Sequence, residues 1–268
     1  MDSSMNSRWC VDVVIPVFNG QETIQSALAS VLAQEGNYVN KIIVVDDGST
    51  DETSQIVQNL ASPMIELVRT SNQGVAIARN LGIEQSKALW IAFLDADDVW
   101  RAGKLQAQLA AAQEHGAGFV CGSVSDRLVR GNGLISAKIL ANGNFVATSS
   151  VLVKRSVLQQ ISPVFIPKMT FGEDYLAWLK CLTLTPGYYL STQLVDYILS
   201  IHPRYRWGQI LRNMLSLNFL YANFLRQIGS SSTQRLILSV AVFLGSLRSI
   251  LSIVKRFIRS YSTEKNNE

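Results

Sequence analysis

The sequence predicts an α/β protein, with a mostly parallel sheet flanked by helices and then a helical C-terminal appendage. Three observations predict it. Short apolar runs alternate with amphipathic stretches over the first hundred residues, which implies parallel strands joined by helical crossovers. Three of those runs stop at polar or acidic residues, and open α/β sheets place ligands at the carboxyl ends of their strands. Beyond Pro203 the pattern changes to two long helical stretches, 208–229 and 233–260.

Taken in order, residues 11–19 (VDVVIPVFN) are a nearly continuous apolar run closed by Asn19-Gly20, a first buried strand and its turn. Ile24, Leu28, Val31 and Leu32 recur at helical spacing and predict a helix covering the sheet. Residues 41–45 (KIIVV) form a second strand ending at Asp46-Asp47-Gly48. Ser49 and Glu52 have capping-box spacing, so a helix is expected from there with Ile56, Val57 and Leu60 inward. Residues 64–68 read as a third strand, 74–85 as a helix and 89–94 as a fourth strand. Residues 104–115 follow as a helix with Leu105 and Leu109 inward, then 117–124 as a strand and 130–143 as a Gly-rich loop. Residues 145–153 read as a strand leading into a short helix at 156–161, and 175–184 as an apolar helix after Phe171-Gly172-Glu173-Asp174.

Apolar residues make up 48% and charged residues 16%, which is globular composition with length enough for a large core. Charge is unevenly spread: residues 1–199 carry 14 Lys/Arg against 18 Asp/Glu, and residues 200–268 carry 10 against 2. A basic tail on a mildly acidic body is expected to meet an anionic surface. Arg248, Lys255 and Arg259 share one face of the helix expected at 233–260. Arg248 interrupts its apolar length, so the helix fits the membrane interface better than a span. The bland alternative is an amphipathic helix packed on the domain. Cys10, Cys121 and Cys181 are odd in number and lack ligand spacing, so they are expected to be reduced, as in a cytoplasmic chain. The first ten residues contain no apolar run and read as no signal peptide.

The chemistry concentrates at the strand ends. IAFLDADDVW sets three carboxylates in four positions after a buried strand. If strand geometry persists, Asp95 and Asp97 share a face, and converging carboxylates call for a hard divalent cation such as Mg²⁺ or Mn²⁺. Asp47 could accept a hydrogen bond from a base or ribose, and Phe18 offers a face on which a base could stack. Arg79 is the single cation of the 74–85 helix and could contact phosphate or hold the Asp cluster. Glu173-Asp174 suits a helix N-terminus electrostatically, or a general base that deprotonates an attacking hydroxyl.

The ordered set VVIPVFNG, VVDDGSTDET, NQGVAIARNLGI, FLDADD and FGEDYLAWL, over roughly residues 10–200, resembles the family-2 inverting glycosyltransferases. The resemblance implies a GT-A, Rossmann-like nucleotide-diphospho-sugar transferase domain at 10–205, followed by a basic amphipathic helical region at 206–262. It implies nucleotide-sugar binding by Pro16, Phe18, Asn19, Asp47, Arg79, Asp95 and Ala96. It also implies a divalent metal (Mn²⁺ or Mg²⁺) at Asp97 and Asp95, and Asp174 as catalytic base with Glu173 beside it. The implied partners are a nucleotide-diphospho-sugar donor, a carbohydrate or lipid-linked acceptor and an anionic membrane surface through 233–260, with no nucleic acid. Processive members carry Q-x-x-R-W. Here Arg206-Trp207 are present but Pro203 replaces the Gln, so one sugar per encounter is expected. His202 could add a metal or phosphate contact.

Other classes fit less well. A nucleotidyltransferase would carry a basic Gly-rich loop after the first strand, and PVFNGQET has no basic residue. No G-x-G-x-x-G follows that strand, against a dinucleotide oxidoreductase. An inactive nucleotide-sugar-binding protein would keep the same acidic motifs without turnover.

Overall fold

A computed structural model describes residues 9–124, 130–169, 172–196, 207–227, 230–231, 233 and 235–244. Its centre is a nine-stranded sheet in the order β3-β2-β1-β4-β8-β6-β9-β5, with β7 also paired to β9. The first four strands, β1 (Val11–Val17), β2 (Val39–Asp46), β3 (Ile65–Arg69) and β4 (Trp90–Phe93), pair in parallel, as does β6 (Phe119–Val124) with β9 (Gly187–Asp196). Antiparallel pairing enters with β5 (Val99–Trp100), β7 (Gly133–Ile135) and β8 (Leu152–Lys154). The parallel character expected for the sheet is therefore concentrated in the first ninety-odd residues, and β8 inserts antiparallel between β4 and β6.

Every residue of β1 is buried, which is why its sequence reads as a nearly continuous apolar run, broken only by the buried Asp12. Val11, Val13, Ile15 and Val17 face a cluster built with α1 (Ile24–Leu32), α2 (Thr53–Asn59) and α4 (Lys104–Glu114), through Ile24, Leu28, Val57, Leu105 and Leu109. Val14 faces the other layer, shared with Phe93, Phe119, Phe165 and Trp178. The alternation is the two-residue period of the strand. α3 (Val75–Gln85) lies close against β1 at Gly82, where an added Cβ would stand 2.4 Å from Val14 Cγ1. A side chain there would push the helix off the sheet.

Three local readings differ from the structure. The expected capping box does not cap α2. The Ser49 hydroxyl instead accepts the Asn19 amide at 2.9 Å, and the helix begins at Thr53, whose amide bonds Asp51 Oδ1 at 3.0 Å. The expected loop at 130–143 contains β7 and the short α5 (Ala137–Leu140). Within 145–153 only Leu152 and Val153 belong to a strand, β8, while Thr148–Ser150 form a 3₁₀ turn; the short α6 (Arg155–Leu158) follows. α7 (Glu173–Leu184) then crosses the second layer, and α8 (Trp207–Gln227) packs on it through Leu217, Tyr221, Phe224 and Leu225. Residues 235–244 are also helical and reach the same core through Val242. His202, Pro203, Arg206, Arg248, Lys255 and Arg259 lie outside the described residues.

Candidate active site

The carboxyl ends of β1, β2 and β4 lie at one edge because the strands are parallel and in register, with Val17 opposite Asp46 and Val14 opposite Phe93. The loops after β1 and β2 are laced together. Asn19 Oδ1 accepts the Thr50 amide at 2.9 Å, Gly20 N donates to Thr53 Oγ1 at 2.8 Å, and Gln21 N donates to Asp51 Oδ2 at 3.1 Å. Asn19 takes a left-handed conformation (φ 53°). Its side chain is thus committed to the turn. Phe18, beside it, is 46% exposed, so it is not a core aromatic. Pro16 is buried within β1 opposite Val45. Ala96 is half-buried and lies against the β1 loop near Gly20.

Asp47 does something the sequence did not suggest. It is buried and accepts three hydrogen bonds: from Thr70 Oγ1 at 2.5 Å, Gln73 N at 2.8 Å and Gly74 N at 2.6 Å. In this structure the carboxylate is closed in among these donors rather than standing open. Its oxygens fasten the entry to α3, the helix that carries Arg79. Asp46 is likewise spent inside the chain. Burial pushes its carboxyl up, but hydrogen bonds from Ser49 and Ser54 and the nearby Arg69 outweigh that and hold it below its ordinary value.

After Phe93 the strand ends and Asp95 to Asp98 form a turn, closed by Asp98 N donating to Asp95 O at 3.1 Å. The shared face expected for Asp95 and Asp97 does not arise, because it needs strand geometry. Ser149 fixes this turn: its hydroxyl accepts the Asp95 amide at 3.0 Å and donates to Asp98, while its carbonyl accepts the Trp100 indole at 2.9 Å. Ser149 was not a sequence candidate, and nothing in its local pattern could have singled it out.

Arg79 joins the two acidic motifs. It is 5% exposed, donates to Asp95 Oδ1 at 2.7 Å through Nη2 and to Glu173 Oε1 at 3.3 Å through Nη1, and lies 5.3 Å over the Phe165 ring. Burial alone would lower its pKa, but Asp95 and Glu173 outweigh that and raise it, so it is a permanent cation. Neighbouring Asn80 holds Phe165 by paired hydrogen bonds, Nδ2 to O at 2.7 Å and N to Oδ1 at 3.0 Å. Of the two roles read for Arg79, the structure shows the one that holds the Asp cluster.

Gly172 opens α7 in a left-handed conformation (φ 80°), which sets Glu173 and Asp174 in the first helical turn. Burial, reinforced by Asp174, pushes Glu173 up to about 7 against the opposing pull of Arg79. Burial also raises Asp174, although Arg79 and the Tyr175 amide, 2.6 Å from Oδ1, oppose it. A carboxylate raised this way is a stronger base than one in water. Among the described residues no three His, Cys, Asp or Glu side chains form a cage for a metal. Asp95 Oδ1 is engaged by Arg79 and Asp97 is half-exposed, so an ion held at this turn would need further oxygens from a bound ligand.

Parallel strand ends, an acidic turn and a helix-borne carboxylate pair are thus brought together, with Arg79 bonded to both Asp95 and Glu173. The profile of the family described as Glycosyl transferase family 2 matches residues 12–160, more than half of the chain. The chain belongs to that family and is a glycosyltransferase. It is 30% identical over 184 residues to the Escherichia coli UDP-Glc:alpha-D-GlcNAc-diphosphoundecaprenol beta-1,3-glucosyltransferase WfgD, across 65% of this chain and 70% of the relative. Its fold superposes on S. aureus TarS 1-349 in complex with UDP-GlcNAc at a TM-score of 0.73, with 18% identity, 85% of this chain and 70% of the other covered. It also superposes on the Pyrobaculum calidifontis mannosyltransferase PcManGT in complex with GDP-Man and Mn²⁺, at 0.64 and 19%, covering 87% and 69%.

Proposed function

We propose that this glycosyltransferase moves a hexosyl or related sugar from a nucleotide-diphospho-sugar to the hydroxyl of a lipid-linked saccharide, with inversion and one sugar per encounter. The observation that carries the reading is the Asp95–Arg79–Glu173 chain of contacts, which ties the donor-side turn to the carboxylate pair on α7. Asp174 takes the proton of the acceptor hydroxyl as that oxygen attacks the anomeric carbon, and the sugar–diphosphate bond breaks on the opposite face. Phe18 stacks on the nucleobase, and the Asn19 and Ala96 turns shape the floor beneath the donor. Glu173 and Arg79 hold the base and the acidic turn at fixed separation. A divalent ion, Mn²⁺ or Mg²⁺, would be held by Asp97 together with donor oxygens, and when bound it neutralises charge on the diphosphate.

A lipid-linked acceptor is supported by the acceptor in WfgD's name, and the metal by the Mn²⁺ in PcManGT's description. Residues 10–205 act as the catalytic domain and 206–262 as a basic helical appendage at the inner face of the cytoplasmic membrane. The described residues contain no helix long and apolar enough to cross a bilayer. The test is incubation with UDP-, GDP- and dTDP-sugars and a GlcNAc-diphospholipid acceptor, with Mn²⁺ or with EDTA, reading the product's anomeric configuration by NMR. Metal-dependent transfer with inversion is expected; retention of configuration, or turnover unchanged by EDTA, overturns the mechanism.

A further inference from the structure

The C-terminal helix has two apolar faces, and the fold uses one. Within residues 235–244, Val242 is fully buried and Leu238 and Ala241 pack on the core of α7 and α8. On the far side Leu236, Ile237, Val240, Phe243 and Leu244 are 67%, 53%, 49%, 37% and 46% exposed. Their spacing of one, four, seven and eight residues from Leu236 puts them on a single stripe. A stripe of five large apolar side chains in water is unfavourable unless something covers it.

The charge of the surrounding sequence says what. From residue 197 to residue 263 there is no Asp or Glu, while nine Arg and Lys occur, Arg226 and Arg235 among them. An apolar stripe in an acid-free basic region is complementary to an anionic lipid surface, where headgroups meet the cations and acyl chains meet the stripe. A second copy of this chain would bring the same positive charge against itself.

The stripe is mounted on the catalytic machinery. α8 and this helix share the core of α7: an added Cβ on Gly172 would stand 3.0 Å from Leu217 Cδ1, and Tyr221 Oη lies 2.9 Å from Thr183 Oγ1. α7 begins with Glu173 and Asp174. We infer that the Leu236–Val240–Phe243 stripe is the docking face for an anionic bilayer, and that it holds the α7 carboxylates beside the membrane, where a lipid-linked hydroxyl arrives. The second half of this inference rests on the acceptor class proposed above; the first half does not.

The experiment floats the full chain with phosphatidylglycerol vesicles and with phosphatidylcholine vesicles over a series of salt concentrations. Leu236→Glu/Val240→Glu is the test variant, and circular dichroism checks its fold. Binding to anionic vesicles is expected to weaken with salt and to fall roughly tenfold or more in the variant. Arg235→Gln is a second, milder variant, expected to weaken anionic binding without touching the stripe. Transfer to vesicle-borne acceptor should fall in parallel in the double variant, while donor hydrolysis in solution is unchanged. Equal binding to neutral vesicles, no binding to either, or a dimer in solution that the double variant dissolves would overturn docking. If transfer never occurs but anionic binding follows the stripe, the acceptor reading fails and the docking face stands.

Discussion

Replacing Arg79 by Met tests whether the site is held together as described. Arg79 is 6% exposed in its side chain, and its partners Asp95 and Glu173 are 27% and 16% exposed, so the change strands two mostly buried carboxylates. Breaking a buried ion pair from one side costs about 3–5 kcal/mol; because both acids keep some water, the lower end, about 3 kcal/mol, applies. At roughly 2–4 °C per kcal/mol for a chain of this size, the thermal midpoint should drop by about 6–12 °C. The sign of the pH dependence follows from Glu173. Burial raises it to about 7 even with Arg79 pulling it down, so without the guanidinium it titrates higher still. In the variant the penalty is complete above that range and shrinks as the pH falls through it, because the stranded Glu173 takes up a proton. Differential scanning calorimetry of both proteins at neutral and at mildly acid pH reads this directly. Adding Glu173→Gln to the variant should recover part of the loss. A midpoint unchanged by Arg79→Met, or a loss that does not diminish in acid, refutes the electrostatic bridge.

Four further outcomes follow from the same geometry. Asp174→Asn should leave donor affinity by calorimetry nearly unchanged while transfer drops about 10²–10⁴-fold, and near-normal transfer would remove Asp174 from the base role. Because Asp174 is raised by burial and must be ionised to act, wild-type kcat/KM should fall on the acid side with a midpoint above the ordinary aspartate range. Phe18→Ala should leave stability within about 0.5 kcal/mol, since the ring is exposed, yet weaken nucleotide binding by about tenfold through lost stacking; unaltered affinity would return Phe18 to the surface. Ser149→Ala leaves buried Asp98 without its hydroxyl donor and should cost about 1–3 kcal/mol, with more Mn²⁺ needed for half-maximal activity; an unchanged metal requirement would detach Ser149 from the Asp97 turn.

The sequence made the first hundred residues legible because each buried parallel strand is a local apolar run and each covering helix shows its own period. Ile24, Leu28, Val31, Leu105 and Leu109 face inward as their spacing requires, whereas Leu32, expected with them, is exposed at the helix end. Beyond residue 130 the strands are made by pairing rather than by pattern. β7 is three residues long and is defined by its pairing with β9, Leu134 opposite Tyr188, and β9 carries half-buried Ser191 and Gln193 around an exposed Thr192, with no clean alternation. Residues 145–151, apolar and β-branched enough to suggest a strand, bend instead because Ser149 and Ser150 are drawn into hydrogen bonds with Asp98 and Ala147. Tertiary hydrogen bonds won over local propensity there. The same competition removed the Ser49 capping box.

That competition also changes how an acidic motif should be read. DDGS and DADD together present five carboxylates at one sheet edge, which reads as a strongly anionic pocket awaiting a cation. The fold spends three of them internally: Asp46 on Ser49 and Ser54, Asp47 on the entry to α3, and Asp98 on Ser149. A fourth, Asp95, is neutralised by Arg79. Most of these acids therefore position other residues, and the charge left for a ligand is much smaller than the motif suggests. Arg79 can sit buried between two acidic motifs because Asp47 fixes the start of its helix and Gly82 lets that helix lie flat on β1. The Asp95–Asp98 turn and the α7 pair owe their proximity to a helix that neither motif contains.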